Sequence, residues 1–223
     1  MNQIEKMVRA ANNPVALTGA GISAPSGIPT FQGTWKGAPI RDFLSRDYFC
    51  MDYEGFFELF CEMVSWCDKE PNPAHKALAA MDIPIITQNI DGLHEKSGAK
   101  EVYAMHGTLH TVYCTRCRRR QNAAQWAAEL RPLYQSDNRA KLQEKLRCPH
   151  CGGMMDTDVV LYGDSVRYLD EAVELSRKAD LMLVIGTSLI TYPAAAMPQI
   201  ARAGGAKIIT INEDCVGALE GIV

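Results

Sequence analysis

Two C-x-x-C pairs, Cys114/Cys117 and Cys148/Cys151, are separated by 30 residues and offer four thiols in two knuckles. That set suits a tetrahedral Zn2+ bound by four thiolates. Four cysteine ligands close the coordination sphere, so such an ion is structural and activates no water. Redox chemistry and an iron–sulfur cluster compete, but a redox C-x-x-C has no use for a second pair. A second group is Gly19-Ala20-Gly21-Ile22-Ser23, which runs on through Gly27 to Thr30 and Phe31. It follows Val15-Ala16-Leu17-Thr18, an apolar run that reads as a buried strand. Closely spaced glycines after a strand bring backbone N–H groups up to a phosphate. The spacing is not G-x-G-x-x-G and a tight turn alone also needs glycine, so both readings stand. Gln88-Asn89-Ile90-Asp91 lies just beyond another apolar run, where Asn89 and Asp91 suit a ribose, an amide or an Asx turn. His106 suits a general base near neutral pH or a structural role. Gly186-Thr187-Ser188 and Asn212-Glu213 end two further apolar runs and suit an adenosine ribose or phosphate.

Positioning these groups requires strands that deliver them to one edge. Val15–Thr18, Ile83–Gln88, Val159–Leu161, Leu181–Gly186 and Lys207–Asn212 read as buried parallel strands. Glu54–Cys67, Ala74–Met81, Leu169–Ala179 and Ala194–Ala203 read as the helices between them. The alternation predicts an α/β fold, a parallel sheet with helices on both faces and its ligand at the carboxyl ends of the strands. Residues 1–32, 74–109 and 158–223 make that domain, and 110–157 a small metal-held insertion with a polar, helix-like middle. Residues 33–73, rich in Phe, Tyr and Trp, read as loops and helices that cover the site. At 223 residues and 47% hydrophobic, the chain can bury one good core plus a satellite module. A net charge of −3 argues against nucleic-acid binding, and the short run around Arg118-Arg119-Arg120 reads as a solvated patch. Ile4, Met7, Val8 and Ala11 recur at helical spacing where a signal peptide would need an apolar block, and no run is long enough to span a bilayer. The cytoplasm is the expected compartment.

In their order along the chain, these segments resemble the sirtuin family of NAD-dependent protein lysine deacylases, bacterial type. Gly19–Phe31 is similar to its cofactor loop, Gln88–Asp91 to its nicotinamide motif and His106-Gly107 to its catalytic histidine. The four paired cysteines are similar to its zinc ribbon, and Val159-Val160-Leu161-Tyr162-Gly163 to its peptide-binding strand. The resemblance implies a Rossmann-like domain with a small zinc-ribbon domain, NAD as co-substrate, structural Zn2+ and acyl-lysine protein substrates. Cofactor contacts would come from Gly19, Ala20, Gly21, Ile22, Ser23, Thr30, Phe31, Gln32 and Trp35, and from Gln88, Asn89, Ile90 and Asp91. On the adenosine side they would come from Gly186, Thr187, Ser188, Asn212, Glu213 and Cys215. Asp91 and the Ile90 backbone would hold the nicotinamide carboxamide and Asn89 would position the ribose. The acyl oxygen captures the anomeric carbon as nicotinamide leaves, and His106 deprotonates a ribose hydroxyl that attacks the resulting imidate. Free lysine, nicotinamide and O-acyl-ADP-ribose would be the products. Phe31 would shield the reactive sugar from water.

The sequence departs from the family in four places. Gln32 stands where Arg is common, losing a charge and a planar fork. The lid segment Gly33-Thr34-Trp35-Lys36-Gly37 is about three residues shorter than usual, by the same comparison of motif spacing. Gly163-Asp164 replaces Gly-Glu, and the sequence given runs only to Val223, where the family continues through an adenine-contacting loop and a last helix. Phe57 and Phe60 fall where relatives that remove acidic acyl groups carry a Tyr-x-x-Arg pair. They predict an acyl-binding wall suited to acetyl or longer apolar groups and poor desuccinylation, with Glu58 and Glu62 repelling a carboxylate; a plain helix-face core gives the same outcome. Competing functions on the same fold are a mono-ADP-ribosyltransferase or NAD glycohydrolase, and a non-catalytic NAD-sensing module. Neither a membrane partner nor an oligomeric state is written in the sequence.

Overall fold

Five apolar runs pair into one parallel sheet, in the spatial order Lys207–Ile211, Leu181–Ile185, Pro14–Thr18, Ile85–Thr87 and Val102–Ala104. The structure is a computed structural model that describes every residue except Met1, Phe31, Gln32, Asp137 and Val223. Phe31 and Gln32 of the expected cofactor loop therefore lie outside the described residues. The central strands alternate between two apolar layers. Ala16, Leu183 and Ile185 pack with Val8, Ala74, Leu78 and Leu219 on one face. Val15, Leu17, Met182 and Val184 pack with Ala172, Met197 and Ala201 on the other. Both faces are covered, so these strands read as continuous apolar runs.

The sheet belongs to the first of two compact units, formed by the chain up to Thr30, by Lys69–His106 and by the chain from Val166 onward. Its helices include Gln3–Ala10, Pro73–Met81, Leu169–Lys178 and Met197–Ala203. Asn72 caps the second, its Oδ1 accepting from Ala74 N at 2.9 Å with Pro73 at the first helical position. The Val102–Ala104 strand has no counterpart among the sequence-based strands. It is a three-residue edge strand of intermediate burial, too short to carry a periodic signal.

The second unit combines the segment between Thr30 and Lys69 with Gly107–Ser165. Its three-stranded antiparallel sheet has the order Arg120–Asn122, Gly107–Cys114, Met155–Val159. This corrects the expectation for Val159–Leu161. That segment is not a parallel strand of the main sheet; Val159 ends a strand that runs antiparallel to Gly107–Cys114. The strand proper is Met155–Val159, whose Met-Asp-Thr-Asp-Val sequence alternates; the apolar run Val159–Leu161, which reads as a buried parallel strand, begins only at its last residue. Residues 33–68 and 110–157, read separately in the sequence, share this unit, while 69–73 fall in the first. The helix Tyr53–Val64 turns Phe57 edge-on to Trp126 of the helix Ala123–Tyr134, with ring centroids 4.8 Å apart. A further helix, Arg139–Lys145, completes the polar middle of the cysteine insertion. Thr34–Trp35 and Ala38–Pro39 form a small hairpin. Lys36 (φ 47°) and Gly37 (φ 83°) at its turn both take the positive φ of a two-residue I′ loop. Among the described residues no helix is long and apolar enough to cross a membrane.

Candidate active site and metal centre

The register of the main sheet brings Thr18, Thr87, Ile185 and Ile211 to one edge. The residues that follow them, Gly19, Gln88, Gly186 and Asn212, therefore emerge together at the carboxyl ends. Pro14–Thr18 pairs with Ile85–Thr87 on one side and Leu181–Ile185 on the other, so the glycine loop sits where strand order reverses. Gly21 N donates to Gly186 O at 2.8 Å, and a Cβ on Gly21 would meet Gly186 Cα at 2.8 Å. The two glycines are required by the approach of one loop to the other. Ala20–Ile22 and Ala24–Ser26 are short 3-10 turns, and Asn72 Nδ2 ties them down by donating to Ile22 O (2.8 Å) and Ser26 Oγ (3.0 Å). Ile22 is buried in the core and Thr30 is exposed.

A buried polar network lies under this loop. Ser23 Oγ donates to Asp91 Oδ2 at 2.8 Å. With its one proton engaged, it accepts from Asn89 Nδ2 (3.0 Å) and from His75 Nε2 (3.3 Å). His75 is thus a neutral ring protonated on Nε2. Asn89 Nδ2 also reaches Gly19 O at 3.2 Å, while its Oδ1 is buried with no partner among the described residues. A buried acceptor in that state fits an arriving hydroxyl, as on a ribose. Ile90 and Asp91 are buried beside it, and Asp91 Oδ1 accepts from Leu93 N at 2.9 Å. Sequence reasoning missed His75, Asn72, Thr18 and His94 as parts of this network. Asn72-Pro73 was readable as a helix start, but nothing in the sequence aimed its amide at the glycine loop.

His94 Nε2 shares a 2.9 Å hydrogen bond with Thr18 Oγ1, and its ring lies 4.9 Å from that of His75. Burial lowers His75 to about 4. Burial, then the neighbouring His75, lowers His94 to about 3. Both stay neutral in the fold, whereas the unfolded chain takes up protons near 6.5. Their contribution is complete above that pH and is lost as pH falls toward 4, at up to about 1.4 kcal/mol per pH unit for each ring. We expect the melting temperature to drop by several degrees from about pH 7 to about pH 5, and His94→Gln to flatten that slope, by differential scanning fluorimetry.

His106 follows the Val102–Ala104 strand, and its Nδ1 lies 3.0 Å from Gln88 O. A carbonyl only accepts, so Nδ1 carries the proton and Nε2 keeps a free lone pair. Burial lowers the His106 pKa, and the bond to Gln88 opposes that shift in part. On the other side of the edge, Gln88 Nε2 donates to Thr187 Oγ1 at 2.8 Å and Thr187 N donates to Asn212 Oδ1 at 3.1 Å. Ser188 and Glu213 are exposed. Cys215 instead packs in the core with Ile211 and Leu219, its thiol donating to Ile211 O at 3.4 Å, so the structure gives it a packing role.

The remaining predicted residues lie in the second unit. Trp35 is buried and donates from Nε1 to Glu62 Oε2 at 3.1 Å. Phe57 and Phe60 are fully buried and pack edge-on against each other and against Trp126. Val159 and Leu161 are buried, Val160 is half-buried, and Tyr162 and Gly163 are exposed. The four paired cysteines converge, with all four Sγ atoms within 4.8 Å of one another. Cys114–Cys151 and Cys117–Cys148 are 3.5 and 3.7 Å apart. Tetrahedral zinc with ~2.3 Å Zn–S bonds places sulfurs about 3.8 Å apart, so the set fits zinc. The N–H groups of Cys117 and Arg116 lower the Cys114 thiol, while its hydrogen-bonded partner Cys151 is raised, as expected of close thiols that share protons until a metal displaces them.

A sequence profile of the Sir2 family matches residues 19–193. An NAD-dependent protein deacylase of Thermococcus kodakarensis is 36% identical over 223 residues, covering 95% of this chain and 84% of that protein. An NAD-dependent protein deacetylase of Bacillus cereus is 36% identical over 227 residues, covering 96% and 88%. Among solved structures, a Sir2–p53 peptide–NAD+ complex matches with a TM-score of 0.83 at 30% identity, covering 98% of this chain and 95% of that one. A Sir2 protein bound to a propionylated peptide matches with a TM-score of 0.83 at 30% identity, covering 97% and 94%.

Proposed function

The chain belongs to the Sir2 family, and from that premise we propose that it removes acyl groups from protein lysines with NAD as co-substrate. The acyl group passes to ADP-ribose with the uptake of one water, and nicotinamide and free lysine are released. The observation that carries this reading is the His106–Gln88 bond at the sheet edge, which leaves Nε2 as a base beside the Asn89–Asp91 network. Asn89 Oδ1 orients a ribose hydroxyl, and Asp91, held by Ser23 and Leu93, fixes the carboxamide with the Ile90 backbone. The Gly19–Ser23 loop at the strand switch faces the diphosphate with Ala20 N as its donor, since the N–H groups of Gly19, Gly21, Ile22 and Ser23 bond within the fold. Gly186-Thr187-Ser188 with Asn212 and Glu213 takes the adenosine side. Zn2+, when bound by the four cysteines, supplies folding energy and no chemistry.

The substrate is an acyl-lysine segment of a protein, paired along Val159–Gly163 by main-chain contacts, which confer little sequence preference. Acetyl and longer apolar acyl groups are the proposed substrates; Phe57 and Phe60 are core residues closed by Trp126 and supply no cation for an acidic one. Thiolate zinc and four further cysteines outside any disulfide suit a reducing compartment, and the cytoplasm is the proposed location.

His106 must be neutral to act as base, and burial holds its pKa below 6.5. The acid limb of kcat/KM is therefore expected below that pH, measured as a pH–rate profile with acetyl-lysine peptide. The reaction class is tested by nicotinamide release with and without that peptide. Release that requires the peptide supports deacylation; equal release without it indicates NAD hydrolysis or ADP-ribosyl transfer.

A further inference from the structure

Asp164 stands where the family resemblance places Glu, and it is joined to a side chain that the reading of the site leaves without a role. Arg46 Nε and Nη2 donate to Asp164 Oδ1 and Oδ2 at 3.0 and 2.8 Å. Arg46 Nη1 lies 3.2 and 3.1 Å from the two oxygens of the buried Asp156. The guanidinium also covers the Phe49 ring at 4.6 Å. One side chain thus joins the end of the Met155–Val159 strand region to the segment beyond it.

The main chain repeats the connection. Arg46 N donates to Tyr162 O, and Tyr162 N donates to Leu44 O, both at 2.9 Å. Leu161 N donates to Asp164 Oδ2 at 3.1 Å, while Leu161 O accepts from Asp164 N at 2.9 Å. Both main-chain groups of Leu161 and of Tyr162 are therefore engaged inside the unit. A substrate peptide cannot draw an N–H from either residue and must find donors at the flanking positions, with Gly163 next along the chain.

We propose that Arg46 is a positioning residue for the acylated peptide: its fork to Asp164 and Asp156 fixes Leu161–Asp164 before the substrate arrives. This rests on the reading of Val159–Gly163 as the peptide-binding segment. Ordering that segment in advance removes an entropic cost from peptide binding and leaves NAD binding untouched. The short Asp side chain allows one carboxylate to bind both the guanidinium and the Leu161 N–H. Lysine at position 46 keeps a charge for Asp156 but cannot bridge two carboxylates.

Arg46→Lys and Asp164→Asn, each compared with the unchanged protein, test this. Both are expected to raise the KM for an acetyl-lysine peptide about tenfold, with kcat and the KM for NAD within about twofold. Deuterium exchange at the Leu161 and Tyr162 amides is expected to quicken about tenfold in both. Unchanged exchange in both variants overturns the clamp. Faster exchange with an unchanged peptide KM overturns its role in binding. An equal rise in both KM values assigns Arg46 to the fold alone and also overturns it. Should one variant fail to fold, the other decides. If the unchanged protein does not deacylate, that failure falls on the deacylase reading. The exchange comparison and fluorescence-anisotropy binding of the same peptide then decide the Arg46 proposal.

Discussion

His106→Ala is expected to lower the rate of O-acyl-ADP-ribose formation by about a thousandfold, within the range that a positioned general base contributes. The expectation follows from one hydrogen bond. Gln88 O can only accept, so it fixes the proton on His106 Nδ1 and points the basic Nε2 away from the main chain. Because the contact is to a carbonyl at the end of the Ile85–Thr87 strand, the tautomer is set by the sheet itself and survives side-chain changes nearby. On the proposed mechanism His106 acts after nicotinamide has left, so the first half of the reaction is expected to persist without it. Exchange of labelled nicotinamide into NAD in the presence of acyl peptide should continue in His106→Ala. Loss of exchange together with product formation would assign His106 to the cofactor pocket, and near-normal turnover would remove it from the mechanism.

Removing the metal is expected to have the larger effect on stability. Structural zinc in small thiolate sites contributes about 10–16 kcal/mol at neutral pH, comparable to the whole stability of an ordinary domain at about 5–15 kcal/mol. Here the four cysteines stand at one end of the three-stranded sheet, where Cys114 ends its central strand and Cys114 N donates to Arg119 O at 2.9 Å. Gly153 packs beneath the sulfurs, its Cβ position 2.8 Å from Cys114 Sγ, so the knuckle has no room for a side chain that would fill the gap. Without the ion, four thiols crowd together with nothing joining them. Cys148→Ser or exhaustive chelation should lower the melting temperature by more than about 10 °C and abolish deacylation, with about one zinc per chain in the untreated protein by elemental analysis. Full activity and an unchanged melting temperature after the metal is gone would contradict a structural centre.

The candidate site at the strand ends was legible because its residues fall immediately after buried strands, where an α/β fold places its ligand. Gly19, Asn89, Gly186 and Asn212 were found in this way, and the cysteine pairs were found by their spacing alone. The network beneath them was less accessible. His75 and Ser23 are 52 residues apart and meet only through tertiary packing, and nothing local in the sequence joins them. Val159–Leu161 reads as a strand of the main sheet because it is a short apolar run like the others, while the actual strand, Met155–Val159, carries Asp156 and Asp158 at alternate positions and pairs antiparallel. Phe57 and Phe60 show a further limit. Helical spacing identified an apolar face, but only the structure shows that face closed by Trp126. Arg46 was invisible for the same reason: its two carboxylates lie 110 and 118 residues away.

The measurement that bears most directly on the reading is mass spectrometry of an acetyl-lysine peptide incubated with the protein and NAD. The account predicts deacetylated peptide, nicotinamide and O-acetyl-ADP-ribose in equal amounts, with the acetyl group found on ADP-ribose. Consumption of NAD with the acetyl group still on lysine would contradict it.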